Sequence, residues 1–599
     1  VTMLGTGDLT LSHLQISTSQ AVTVPIQGQL ITFNPEQIGE SGDVIIIGEN
    51  NLTFDANLIN SNTSGTGDAG NILIVSPGVV SFRNGTQLLS NTTATGNAGT
   101  ITVNGGQEIT LTGNSQITAQ TSGQGTAGDI ILNTPNLIVA GDAQILAETS
   151  DRGAGGTITI NAPGAVSFTR ILDASPVLSV EARGAGQAGN ILINTPTLTL
   201  SDQARITATA TATATNPQGG GSITLNASDL FLAGVVGVFA ETQGQSPAGT
   251  LRLNPYANQA DLSIALTPNS QISASTSGSG RGGDLIVSAP RSITIAGPGK
   301  LSVETTGSGD AGDMRFTTQQ LTLKDGVNLS ASTSGSGRAG TIQLAADTIN
   351  LLERSIVSSN TSGFGEGGTI TVEGRSLNAL GGAQLTTSTS GSGKAGDIIV
   401  NLRDRLLLSG VNTQFFAGTE SGSTGNGGSI LIDPQRVDVR DGASIAVSSK
   451  GSGIGGNITL QAGRLALLNQ GSIAAETASS QGGNIFLTIR DYLLMRHNSL
   501  ISATAGTAQA GGNGGNITIN SPFILGILQE NSDITANAFT GSGGRVTINT
   551  QGIFGLKYQP RLTPNSDITA SSQFGLSGIV TISAPNVDPA QGAIALPTT

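Results

Sequence analysis

The chain has no cysteine and no tryptophan, and only three methionines, three tyrosines and two histidines in 599 residues. Without cysteine there is no disulfide framework and no thiolate metal site. Charged residues make up 11% of the chain, too few for a disordered polyelectrolyte, while the hydrophobic share of 37% is low for a compact globular domain. No apolar run of about 18 residues occurs, so no transmembrane helix is expected. No basic-then-apolar leader precedes Val1. The sequence starts inside repetitive text and stops at ALPTT, so a mature product or an excised fragment is expected. The net charge of −13 speaks against nucleic acid or an anionic membrane as partner. The acidity is thinly spread and reads as solubility.

What is abundant is glycine, 86 residues of it, and it is periodic. GSGRAGTIQL at 335–344 returns as GTGDAGNILI (65–74), GQGTAGDIIL (123–132), GAGQAGNILI (184–193), GSGDAGDMRF (307–316) and GSGKAGDIIV (391–400). The spacing is about 28 residues, stretching to about 34, which is the range of stacked-repeat architectures.

Each repeat has three apolar beats. The first follows the glycine pair, as in Ile342/Leu344, Ile72/Ile74 and Ile130/Leu132. The second is LxL-like, as in Leu198/Leu200, Ile293/Ile295 and Val437/Val439. The third is Ile-x-Ala, as in Ile117/Ala119, Ile272/Ala274 and Ile568/Ala570. Alternation over so few residues means short strands with one buried face. Prolines recur between beats one and two (Pro77, Pro135, Pro163, Pro196, Pro290, Pro434, Pro522, Pro585) and mark a turn. Asp325-Gly326 and Asp441-Gly442 mark a second turn, and STSGSGRAG-like segments a third.

Three strands and three turns per repeat describe a coil of an all-β, right-handed parallel β-helix (β-solenoid) of about 19 coils, each of roughly 28–34 residues. At about 4.8 Å per coil the rod would be on the order of 90 Å long. The position after the anchor glycine is Asn, Asp or Thr (Asn71, Thr100, Asp129, Thr157, Asn190), a small polar set expected to ladder or to bond nearby backbone, with stacked Asp at a solvated edge. A β-propeller would need longer, aromatic-rich repeats. The expected organisation is an atypical first coil or coils at 1–41, the repeat array at 42–578, and a last strand and tail at 579–599.

Several motifs invite a site and are better explained by the repeat. GxGxxG (Gly335, Gly337, Gly340; Gly391, Gly393, Gly396) leads into a strand, not a helix, and recurs coil after coil, unlike a dinucleotide motif. Gly307–Asp313 resembles a calcium nonapeptide but lacks the tandem run such sites need. His13 and His497 have no ligand or triad partner at useful spacing. Asp438, Arg440 and Asp441 are the densest ionisable group, and alternation puts Asp438 and Arg440 on one face; a solvated outward face is the expected reading, against carboxylate catalysis on a glycan. The sequons at Asn62 and Asn91 follow from composition. The period stretches at TATATATATN (207–216) and at 254–269, expected to be longer turns on one side of the rod. The Thr alternation is local, so no extended Thr face of an ice-binding kind is expected. No catalytic, cofactor-binding or metal residue is assigned, and no cofactor.

The phrase ISASTSGSGRGGDLIVSAPRSITI (272–295), with LSASTSGSGRAGTIQL and LTTSTSGSGKAGDIIV, is similar to the repeat region of large cyanobacterial exoproteins related to filamentous haemagglutinin. The resemblance spans nearly all of 40–585. It implies export by two-partner secretion, a surface or secreted β-helical stalk, and adhesion; members begin with a secretion domain, which is not seen here. The expected function is a non-catalytic, extracellular or cell-surface structural and adhesive rod. A self-assembling S-layer-like sheath and a polysaccharide-active β-helix enzyme are the alternatives. The expected partners are surface glycans or other cells, a second copy end to end, and the secretion transporter where the full-length protein carries its domain.

Overall fold

A computed structural model describes residues 2–5, 7–17, 22–26, 29–33, 41–171 and 175–584, with 22–26 and 29–33 described as backbone only. Pro585 and the tail after it lie outside these residues. The protein is an all-β parallel β-solenoid of about 18 turns. Among the described residues the single helical element is a 3-10 turn at Leu528–Glu530. The chain divides into two compact units, Val1–Glu373 and Gly374–Thr599. Each is a stack of coils.

The coil that begins at Ile101 shows why the sequence folds this way. Strand Ile101–Gly105 buries Ile101 and Val103 and leaves Thr102 and Asn104 facing out. Strand Glu108–Leu111 buries Ile109 and Leu111, and strand Gln116–Thr118 buries Ile117. Side chains alternate faces along a strand, so each apolar beat becomes one wall of the interior. Ile101 pairs in parallel with Ile72 below and Ile130 above, Ile109 with Val80 and Leu137, and Ile117 with Leu88 and Ile145. The core is therefore a set of aliphatic columns. The second unit repeats the scheme: Val437 lies between Leu406 and Leu465, and Ile445 between Phe415 and Ile473.

Two details differ from the sequence reading. The first two beats share one sheet and in several coils fuse into one long strand, as in Asn190–Asp202, Met314–Lys324 and Asn457–Leu468. Pro196 thus sits inside a continuous strand, at the point where pairing passes from Thr195–Ala227 to Thr197–Asp229. A residue without an N–H is tolerated where the ladder skips a pair. The second difference concerns the stretched repeats, which occupy two different turns. Residues 207–216 begin at the end of the third strand and run into the glycine-rich connection, whereas the extra residues of 254–269 mostly separate Leu251–Asn254 from Asp261–Leu266.

Residues 1–41 contain a coil in full register. Thr2–Gly5, Leu9–Ser12 and Gln15–Ser17 pair in parallel with Val44–Gly48, Leu52–Asp55 and Leu58–Asn60. Its connection to the next coil carries an antiparallel hairpin, Val22–Ile26 with Gln29–Phe33.

The recurrent glycines have a steric cause. A Cβ on Gly335, Gly337 or Gly340 would run into the carbonyl oxygen of Gly307, Gly309 or Gly312 one coil earlier. Thr333 Oγ1 donates to the Gly337 carbonyl at 2.8 Å, closing the same loop, and Thr305 does so to Gly309 at 2.7 Å. The turn before the third strand is different: Asp325 and Gly326 have φ of 59° and 82°, and Asp441 and Gly442 57° and 80°. Two successive left-handed residues make a type I′-like turn, which suits Asp-Gly.

Candidate functional site

Much of the outer surface is occupied by structural ladders. Asn133, Asn161, Asn194, Asn226 and Asn254 each donate a side-chain N–H to the Asn one coil below, starting from Asn104, at 2.7–3.0 Å. After the anchor glycine, Asn71 Oδ1 accepts from the Thr100 backbone N–H at 2.8 Å and Asp129 Oδ1 from that of Thr157 at 2.7 Å. Asp284 and Asp313 stack at the exposed edge as expected, and Arg281 reaches both at 3.2 and 3.0 Å. A further row holds Glu148, Glu241 and Glu476, whose carboxylates accept from Ser179, Ser273 and Ser502 in the next coil. Burial pushes all three carboxyl groups up from their ordinary value. Arg183 lies 3.2 Å from Glu148 but is half exposed, and burial outweighs it.

One edge of the second unit does not fit this pattern. The residue just before the second apolar beat is Arg405, Arg436 and Arg464 in three successive coils, in register, followed by Tyr492 and Phe523. Arg405 reaches Asp438 at 3.3 Å. Arg436 and Arg464 have no ion-pair partner among the described residues. Beside this column, where the first beat passes into the second, an open cleft of about 420 Å³ crosses four coils and is lined by Arg403, Asp433, Gln435, Gln461, Thr488 and Arg490, among others. Pro434, buried, turns the chain here, and the Gln435 carbonyl accepts from the Gly463 and Arg464 backbone N–H groups at 2.8 and 3.0 Å. Arg490 Nη2 donates to Gln435 Oε1 at 2.7 Å.

The sequence candidates fall around and away from this edge. Asp438 and Arg440 do share the outward face. They do not converge with Asp441 on one centre: Asp438 faces Arg405, whereas Asp441 accepts from Ser409 at 2.7 Å and Asn469 at 3.1 Å. Those hydrogen bonds, Ser409 first, lower the Asp441 carboxyl. His13 and His497 both lie in turns with left-handed φ of 54° and 53°. His497 Nδ1 is 3.2 Å from Glu530, which Arg496 grips through two bonds of 2.6 and 2.7 Å and holds at a pKa of about 2. In the nonapeptide-like loop, Asp310 and Asp313 accept from the Arg338 and Thr341 backbone N–H groups, both at 2.8 Å. Asn62 and Asn91 accept from the backbone of the next coil at 2.6 and 2.7 Å. In the loop containing 207–216, Asn216 Nδ2 donates to the Ala185 carbonyl at 2.9 Å. Among the described residues no three His, Asp or Glu side chains are placed to share a metal ion.

The chain matches no family model, no curated protein and no solved structure. The arginine edge was missed by sequence reasoning, although its signal is present. Once the apolar beats are aligned, DRLLL, QRVDV and GRLAL place an arginine before the second beat three times running.

Proposed function

We propose that this chain is a non-catalytic structural and adhesive β-solenoid displayed outside the cell. The observation that carries this reading is the use of each coil's surface by its neighbours within each unit: hydrogen-bond ladders, aliphatic columns and glycine contacts run from coil to coil. A molecule built this way spends its sequence on length and on a long polar surface. The resemblance of 272–295 to haemagglutinin-related exoproteins supports export and adhesion. Electron microscopy of the purified chain is expected to show elongated particles, and compact globules would overturn the structural part. Antibody labelling of intact source cells tests the location, with signal only after permeabilisation counting against it.

A second reading, self-assembly, has one observation in its favour. Among the described residues, strand Ile579–Ser583 pairs on one side only, with Arg545–Asn549. An unpaired strand edge invites another chain. Sedimentation should then show a mass that rises with concentration, and a constant monomer would sink the idea.

A further inference from the structure

We propose that the arginine edge of the second unit binds an extended acidic polysaccharide, one whose sugars carry carboxylates, laid along the stacking direction across the cleft and the column Arg405–Arg436–Arg464–Tyr492. The inference rests on the adhesive reading above and gives it a ligand class and a place.

Four observations carry it. Like charges directly opposite one another in neighbouring strands repel, yet arginines occupy the same register position in three consecutive coils. Asp438 answers one of them and the other two have no carboxylate partner among the described residues. The corresponding ladder of the first unit is uncharged where Ser292, Gln320 and Thr348 pair, so the fold does not require cations here. The cleft is lined by Arg403 and Gln435, which precede Arg405 and Arg436 by two residues and one, and by Arg490, so further cations lie beside the column on a concave surface. An anionic ligand seated there would relieve the repulsion, and a guanidinium offers a carboxylate two parallel donors.

The composition of the edge selects among polyanions. The cleft also presents Gln435, Gln461, Thr488 and the carboxylate of Asp433. Amides, a hydroxyl and an acceptor-only group suit sugar hydroxyls, which need both donors and acceptors. Tyr492 and the exposed Phe523 continue the arginine column and offer flat apolar rings to a sugar face. A phosphodiester backbone offers few hydroxyls to the amides, to Thr488 and to Asp433, whereas each sugar of a polyuronate brings hydroxyls beside its carboxylate. The cleft spans four coils, about 15 Å at the coil spacing, which fits a short run of sugars and not one small ion.

The test uses the full chain and polygalacturonate, with dextran as the neutral polymer and oligothymidylate as the phosphate polymer, measured by calorimetry at low and physiological salt. Polygalacturonate is expected to bind, weakening as salt rises, with dextran silent and oligothymidylate at least tenfold weaker. The pair Arg436→Gln and Arg464→Gln should cut affinity at least tenfold, the pair Arg436→Lys and Arg464→Lys less, and Arg252→Gln in the first unit not at all. Tyr492→Ala gives a second, uncharged probe, with a several-fold loss expected. Circular dichroism and melting of each variant report folding separately. No binding of polygalacturonate, binding indifferent to both arginine pairs in folded variants, or tighter binding of oligothymidylate would each overturn the proposal. Elongated particles that bind no polygalacturonate would leave the structural reading standing and remove this one; globular particles would remove the structural reading instead.

Discussion

At the level of single residues, the repeat's glycines divide into two physical kinds. Those of the GxGxxG loops sit where the preceding coil's backbone passes, and those of the Asp-Gly turns sit at left-handed φ. Gly340→Ala should therefore destabilise the fold by about 1–3 kcal/mol through overpacking against the Gly312 carbonyl. At Gly511 an added Cβ would come no nearer than 3.9 Å, to Thr540 Oγ1, so Gly511→Ala should be neutral or stabilising by about 0.4–1 kcal/mol. Denaturant titration of the two variants checks both. Arg354 and Gln470 occupy the glycine place of the I′-like turn at φ of 62° and 65°. Arg354→Gly and Gln470→Gly should each stabilise by on the order of 1 kcal/mol, read by the same titration. The desolvated glutamates Glu148, Glu241 and Glu476 act through pH. Their raised folded-state values make their contribution to stability full below the unfolded carboxyl value and lost as pH rises through the folded one. The triple variant Glu148→Gln, Glu241→Gln, Glu476→Gln should melt higher than the parent at about pH 8, with the gap closing by about pH 4.

At the level of strands and ladders, sequence periodicity was enough to place the three beats, their turns and their parallel stacking. Ile101, Ile109 and Ile117 could be assigned to a buried face from alternation alone, because period 2 maps directly onto inside and outside. What alternation does not encode is which outward residues meet. The Asn ladder from Asn104 to Asn254 and the column Arg405–Arg436–Arg464 both depend on register between residues about 30 apart in the chain. Asp438, Arg440 and Asp441 drew attention because they are close in sequence, yet the partners that matter to them are Arg405, Ser409 and Asn469 in other coils. Fusion of the first two strands around Pro196 was equally hidden, since proline marks a missing donor and not a break in direction. The ladder makes its own prediction. Asn194→Ala removes the acceptor of Asn226 and the donor to Asn161 together, and should cost about 1–2 kcal/mol in a melting or denaturant experiment.

At the level of the whole molecule, almost every pairing joins a coil to its immediate neighbours. Stability in such an array is close to a sum of coil and interface contributions, and unfolding can start at an end and propagate. Calorimetry should accordingly give a total enthalpy larger than the van't Hoff value, and equality of the two would show one cooperative block instead. Local charge also departs from global charge here: a chain of net −13 carries an arginine column in which, among the described residues, only Arg405 has a carboxylate partner. The glycine contact has a consequence for how such a chain can grow. The Cα of Gly128 packs against the Gly99 carbonyl beneath it, and the Gly128 carbonyl packs against Gly156 above, with no room for a Cβ at either. A coil of this kind brings the upper and the lower half of its own junction, so a tandem copy of its segment inserted in frame meets familiar surfaces on both sides. Length is therefore the cheapest property for such a gene to change, by duplication or loss of whole repeats, while a single new side chain in the loop disturbs two coils at once.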